Sequence, residues 1–279
     1  MRDNSKRTSA AADPTPAVPE VDNKQMLDFS TPTEIVDLPS KGKFYSEAHP
    51  LHNKESVEIR YMTAKDEDIL TSPSLLKKGL AIDRLLQNVI VDKRIHVGSL
   101  LSGDKNAILV ASRINGFGSS YTTKVTCPAC ASVEENTFDL SEVEHITLDD
   151  TGDYDISPTQ DGTFIVKLPR TGFEVELRLL TGTDENELAA KMQKGQKRGI
   201  ETNLTDQLKK IIVSVNEVTE LKLINKVIAN LPAFDSRYLR GAYQKVVPGL
   251  DMKQDFSCES CGFEKEVDIP LTVDFFWSK

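Results

Sequence analysis

VEIRYMTAKDEDIL (residues 57–70) returns 118 positions later as VELRLLTGTDENEL (175–188), with seven identities in fourteen. Each copy reads as a strand (Val57–Met62; Val175–Leu180) that runs into a helix. Thr63 and Thr181 stand at the junction, where a hydroxyl caps the first turn. Glu67 and Glu185 follow four residues later, one residue off the capping-box spacing. Asp66 and Asp184 fall in the first turn, where the helix dipole favours negative charge.

The recurrence extends in both directions. Upstream, LPSKG (38–42) resembles LPRTG (168–172). Downstream the offset becomes 131 and pairs Asp104 with Asp235, Ile108 with Leu239, Ala111 with Ala242, Gly118 with Gly249, Cys127 with Cys258 and Leu140 with Leu271. Matches in one order, with offsets altered by insertions, indicate two copies of one module. The first copy carries the extra stretch KFYSEAHPLHNKE and two expected helices, 74–91 and 103–118. Leu75, Ile82, Leu85, Leu86 and Val89 give the first an apolar stripe at helical spacing. The second copy is longer, with helical patterns in ENELAAKMQKGQ, NLTDQLKKIIVSV, ELKLINKVIANL and FDSRYLRGAYQKV. The fold expected is α+β: two similar fused modules, each of strand, helices and a cysteine hairpin.

Each module closes on a Cys-x-x-Cys between two alternating, strand-like runs: Cys127 and Cys130 in the first, Cys258 and Cys261 in the second. A pair at the tip of a hairpin is a zinc knuckle, and two knuckles complete the four positions of a tetrahedral ion. The usual interval between knuckles is about 15–20 residues, whereas 127 residues intervene here. Duplication accounts for the interval. An ancestral module holding half a site at a two-fold axis keeps the whole site after fusion, with its halves one module apart. The expectation is one structural zinc per chain on Cys127, Cys130, Cys258 and Cys261. Two free thiol pairs, a redox pair, or a separate incomplete site on each hairpin are the alternatives. A redox pair normally opens a helix after a strand, and four sulfur ligands leave no open position for catalysis.

Composition sets the remaining bounds. The chain has 279 residues, 39% hydrophobic and 28% charged, with net charge −9. That balance supports a sizeable core and supplies no basic field for nucleic acid or anionic lipid. No apolar run reaches membrane-spanning length, and the N-terminus lacks the apolar centre of a signal peptide. Four cysteines in a chain of this length suit metal ligation better than a disulfide framework. Residues 1–30 read as a disordered tail, 31–147 as the first module, 148–163 as an acidic linker and 164–279 as the second module.

No phosphate loop, zincin motif or nucleophile elbow is present, so no catalytic residue is assigned. His49 and His52 suit a solvated loop, and the acids at 66–68 suit capping. The chain ends DFFWSK, where Phe275, Phe276 and the only tryptophan, Trp277, cluster. They are candidates for an aromatic anchor on a partner protein, or for a last segment folded on the core.

LPSKGKFY, YMTAKDEDIL, GDKNAIL, TKVTCPAC and DIPLTVDFFW, in that order, resemble the baseplate hub protein family of T-even-type contractile-tailed bacteriophages over roughly residues 35–279. The resemblance implies a non-enzymatic structural or assembly role in the tail baseplate hub. Its partners would be other baseplate or hub proteins, not nucleic acid or membrane. It would act in the host cytoplasm during assembly, with the virion tail baseplate as a further location. A zinc-ribbon accessory factor for nucleic acid is the rival reading, against which the net charge counts.

Overall fold

The computed structural model describes residues 31–146, 152–196, 203–269 and 273–276. The first half opens with β1 (Thr33–Asp37) and β2 (Ser56–Arg60), an antiparallel pair in which Val36 faces Val57. Helices α1 (Ala64–Thr71), α2 (Pro73–Lys78), α3 (Ala81–Val89) and α4 (Ser102–Phe117) follow. Strands β3 (Ser120–Thr126) and β4 (Val133–Asp139) then form a hairpin, and β5 (Glu144–His145) ends the half. The second half contains β6 (Ile156–Pro158), β7 (Phe164–Lys167), β8 (Glu174–Leu177), α5 (Gly182–Gln196), α6 (Asn203–Ile211) and β9 (Ile212–Val215). It continues with α7 (Leu221–Asn230), α8 (Ala233–Val246) and β10 (Leu250–Asp251). The hairpin β11 (Lys253–Ser257) and β12 (Glu264–Asp268) and a 3-10 turn over Val273–Phe276 close it.

The strand pairs of the two halves share one register. Glu34 faces Ile59 and Val36 faces Val57; Phe164 faces Leu177 and Val166 faces Val175. The fourth strand of the second sheet, β9, pairs with β8 through Leu177 and Ile212. In the first half the matching position is the single bridge between Ile59 and Ile90.

The same polar anchors hold both halves. Arg60 grips Asp66 with two nitrogens at 2.7 and 2.9 Å, and Arg178 grips Asp184 at 2.7 and 2.9 Å. The Thr63 amide and hydroxyl donate to Asp66, as those of Thr181 do to Asp184. The reciprocal acid of each cap is therefore this aspartate, which stands three residues after the threonine at the capping-box spacing, and not the glutamate one residue farther on. Burial opposes the charge on Asp66, but Arg60, Thr63 and Asn88 hold its carboxyl down to about 2.

A second anchor sits at the third residue of each module's long helix. Asp104 of α4 accepts from the Ser40 amide and hydroxyl at 2.9 and 2.6 Å and from the Tyr45 hydroxyl at 2.8 Å. Asp235 of α8 accepts from the Arg170 and Thr171 amides, both at 2.9 Å, and from the Thr171 hydroxyl at 2.8 Å. The LPSKG and LPRTG loops thus exist to close over a buried carboxylate. Gly42 turns there at φ 70°, where an added Cβ would strike the backbone of Leu51 and Lys54. Burial pushes the Asp104 carboxyl up.

Three expectations need correction. The stretch 74–91 is two helices, because Gly79 ends α2 in the left-handed region at φ 67°. Leu75 therefore leaves the stripe, and Leu85, Leu86 and Val89 of α3 supply the buried face. The β-branched run at the end of NLTDQLKKIIVSV is strand β9, where such side chains fit a pleated surface. The supposed linker 148–163 contributes β6, which pairs with β7.

From Pro32 onward the chain forms one compact unit. Its core is continuous across both halves, from Leu38, Ile59 and Leu86 to Leu177, Leu239 and Phe256. The halves are also stitched by backbone pairing: β5 with β10, and an antiparallel bridge between Leu101 and Thr181. Residues 1–30, expected as a tail, lie outside the described residues.

Candidate metal centre

The two hairpins deliver the four cysteines to one point. In each, the first cysteine of the pair ends a strand and its amide bonds across the turn: Cys127 to the Ser132 carbonyl and Cys258 to the Phe263 carbonyl, both at 2.8 Å. A second bond, from the Ala131 amide to the Cys127 carbonyl and from the Gly262 amide to the Cys258 carbonyl, tightens each knuckle. Ala131 and Gly262 take matching positive φ angles of 59° and 70°. Cys127 and Cys258 are buried, while Cys130 and Cys261 face solvent.

The four Sγ atoms all lie within 4.8 Å of one another. Across the two knuckles Cys127 meets Cys261 at 3.8 Å and Cys130 meets Cys258 at 3.7 Å. A tetrahedral ion with bonds of about 2.3 Å to sulfur sets its ligands about 3.8 Å apart. The donor set and its spacing therefore fit a four-thiolate metal site, with each pair crossing to the other hairpin.

The charges lead to the same fit. The Ser132 hydroxyl and amide favour the Cys130 thiolate and lower it to about 6. The Phe263 amide favours the Cys261 thiolate, but Cys130, burial, Cys258 and Cys127 outweigh it and push Cys261 up to about 12. Four thiols this close cannot all ionise unless a cation compensates them.

Glu134 of β4 is the residue that sequence reasoning missed. Its carboxylate accepts from the Glu259 and Ser260 amides at 2.8 and 3.1 Å, the two residues between Cys258 and Cys261. The Ser132 hydroxyl and the Cys258 thiol approach it at 3.2 Å each. Contacts from Ser260 and then the Glu259 amide hold its carboxyl at about 2. One hairpin thus caps the knuckle of the other. Its position two residues beyond Ser132, half-buried on the β4 face that also holds Phe138, carries no signal without the partner hairpin in view. Gln254 ties the bases of the hairpins, accepting from the Asp139 amide at 3.1 Å and donating to its carbonyl at 2.5 Å.

The remaining candidates have structural surroundings. His49 stacks on Tyr45 at 4.3 Å and contacts the Ser99 hydroxyl at 2.8 Å; His52 contacts the Tyr45 carbonyl. Phe275 and Phe276, expected as partner-facing anchors, are buried in the chain's own core. Phe275 meets the Tyr121 ring edge-to-face at 5.0 Å, and Phe276 approaches Phe117 at 6.2 Å. The two rings also meet each other edge-to-face at 5.4 Å, so both lie against the chain's own core, the second of the two readings of this segment. Trp277 lies outside the described residues. The buried Arg113 of α4 fastens this segment, donating to the carbonyls of Phe275, Gly118 and Ser120 at 2.8, 2.7 and 3.1 Å.

A model of the family described as T4 bacteriophage base plate protein matches residues 31–277. No curated protein and no solved structure matches the chain.

Proposed function

The chain belongs to the T4 bacteriophage base plate protein family, and on that premise we propose that it is a structural or assembly protein of the tail baseplate hub, working through protein–protein contacts and not as an enzyme. The observation that carries the reading is the reach of the family match, which takes in both halves and both cysteine hairpins. Among the described residues no helix is long and apolar enough to cross a membrane.

The four cysteines hold one structural zinc on this reading. Thiolate ligands at tetrahedral spacing, with no fifth His, Cys, Asp or Glu ligand in the cluster among the described residues, support a closed site. The two halves descend from one duplicated module, supported by the shared strand register, the repeated Arg–Asp–Thr anchor and the paired loops over Asp104 and Asp235. Zinc then joins the tips of two hairpins from different copies. The test is purification of the tagged full chain from infected cells. Co-purified baseplate proteins identified by mass spectrometry, with one zinc per chain by elemental analysis, are expected. Recovery without any tail protein overturns the assembly role, and a zinc content near none or two per chain overturns the metal assignment.

A further inference from the structure

The shared register exposes a difference at the sheet edges. β6 covers the outer edge of β7, with Ile156 facing Val166, Ser157 facing Ile165 and Pro158 facing Phe164. β1 is the counterpart of β7, yet among the described residues no strand lies on its outer edge. Bonds from Tyr61 to the Pro32 carbonyl and from Leu38 to the Glu55 carbonyl turn the even-numbered residues of β1 toward β2. By strand alternation the amides and carbonyls of Thr33, Ile35 and Asp37 point outward. Ile35 is 70% exposed. Natural sheets usually blunt such an edge with proline or charge; Pro158 does so on the far side of β6, whereas β1 has no proline and carries the acids Glu34 and Asp37.

Glu34 supplies a second, independent observation. It holds the place that the buried Phe164 takes in the other half, and its Oε2 is buried without a hydrogen-bond partner among the described residues. An unpaired buried carboxylate oxygen is costly until a donor reaches it.

We propose that the outer edge of β1 receives an extended, antiparallel strand from a partner baseplate protein, with an apolar residue opposite Val36 and a basic residue opposite Glu34. The inference deepens the assembly reading by naming its surface and the chemistry of the partner. Backbone pairing supplies affinity, and the two alternate side chains supply selectivity. Ile156 on β6 shows the apolar position filled, packed against the core beside Val166.

The probe is a synthetic peptide of residues 153–160 carrying Pro158→Lys, so that its lysine falls opposite Glu34. Titrated into the full chain, it is expected to bind saturably and to slow amide exchange at Ile35 and Asp37 about tenfold or more. In β6 the pairing bonds from the Thr159 amide and to the Asp155 carbonyl turn Ser157 toward its neighbour. N-methylation of the peptide at Ser157 therefore weakens binding about tenfold or more without altering the protein, and Glu34→Gln reduces the preference for lysine over proline. Equal binding of the methylated peptide, protection at another surface, or no binding at millimolar peptide overturns the inference. A second arm compares wild type with Ile35→Pro in co-purification from infected cells. Loss of tail proteins only with Ile35→Pro, its melting unchanged, supports the edge. Retention by both overturns the edge and leaves the assembly reading standing. Absence from both overturns the assembly reading, while the peptide arm still decides the edge.

Discussion

Removing the proposed zinc, by a chelator or by Cys258→Ser, is expected to open the hairpin tips and spare the rest of the chain. The second hairpin makes the magnitude workable. Along β11 and β12 only Phe256 is fully buried, and burying a phenylalanine is worth roughly 1.5–3 kcal/mol. The paired bonds between Gln254 and Asp139 add about 1 kcal/mol each. Against this, ordering the backbone costs about 1–2 kcal/mol for each residue, so the hairpin does not hold its place by its own contacts. Structural zinc in small peptides contributes about 10–16 kcal/mol at neutral pH, enough to close the gap. Amide exchange over residues 124–135 and 254–266 should then rise about a hundredfold or more on metal loss. The core helices α3 and α4, whose buried faces lie elsewhere, should change little. The assay is hydrogen exchange read by mass spectrometry, with elemental analysis on the same sample. Unchanged exchange at the tips after complete metal removal refutes the reasoning. So does whole-chain unfolding in one step, which would make the site part of the global core.

Phe276→Ala is expected to cost about 3–5 kcal/mol, seen as a lowered melting temperature, with the zinc content of the folded protein unchanged. Arg113→Ala strands three carbonyls and should cost about 3–5 kcal/mol; Arg113→Lys recovers little of it, because an ammonium lacks the planar fork. The Asp66 carboxyl lies below its ordinary value in the folded chain, so the stability it contributes is complete above about pH 4 and lost as pH falls through about 2. Denaturation curves of Asp66→Asn should therefore start about 2 kcal/mol lower at pH 7 and flatten across that acid window, whereas an unchanged pH profile counts against the ion pair.

The sequence made the repeated parts legible and hid the parts that differ. Offsets of 118 and 131 place Asp66 beside Asp184 and Asp104 beside Asp235, and short-range rules locate both hairpins within one or two residues. Identical residues at both positions mark buried anchors, since a carboxylate kept inside needs hydrogen-bond donors around it in each half, although the donors differ at Asp104 and Asp235. Asp66 was still read as a dipole partner, although it stands at the capping-box spacing from Thr63, because the usual pattern has Glu or Gln in that place. The strand nature of Ile212–Val215 was lost because an apolar run following a helical pattern has no period of its own. β6 was lost because three residues among acids, glycine and proline carry too little pattern to distinguish a strand from a loop. Glu134 and Arg113 act on backbone atoms far along the chain, and such contacts leave no spacing to read. The burial of Phe275 and Phe276 rests on Tyr121 and Phe117, far back along the chain, and such contacts leave no spacing to read either.

If the two halves descend from one module, as we propose, their differences fall where a fused pair has freedom that a symmetric dimer lacks. In a two-fold dimer each sheet edge occurs twice in the same state, either covered or open. Joined in one chain, the copies share the metal ligands and the core between them, and those positions stay paired. The outward edges are released from that constraint. One has gained β6, capped by Pro158, with Phe164 buried beneath it. The other keeps Ile35 at its rim and has Glu34 where the phenylalanine would sit. Glu134 follows the same logic, since the position matching it in the second hairpin is Lys265, so only one hairpin caps the other. Divergence by insertion alone would leave these positions random in character. A closed edge with an apolar residue beneath it, and an open edge with a carboxylate oxygen unpaired among the described residues, instead fit the division we propose between internal closure and partner contact.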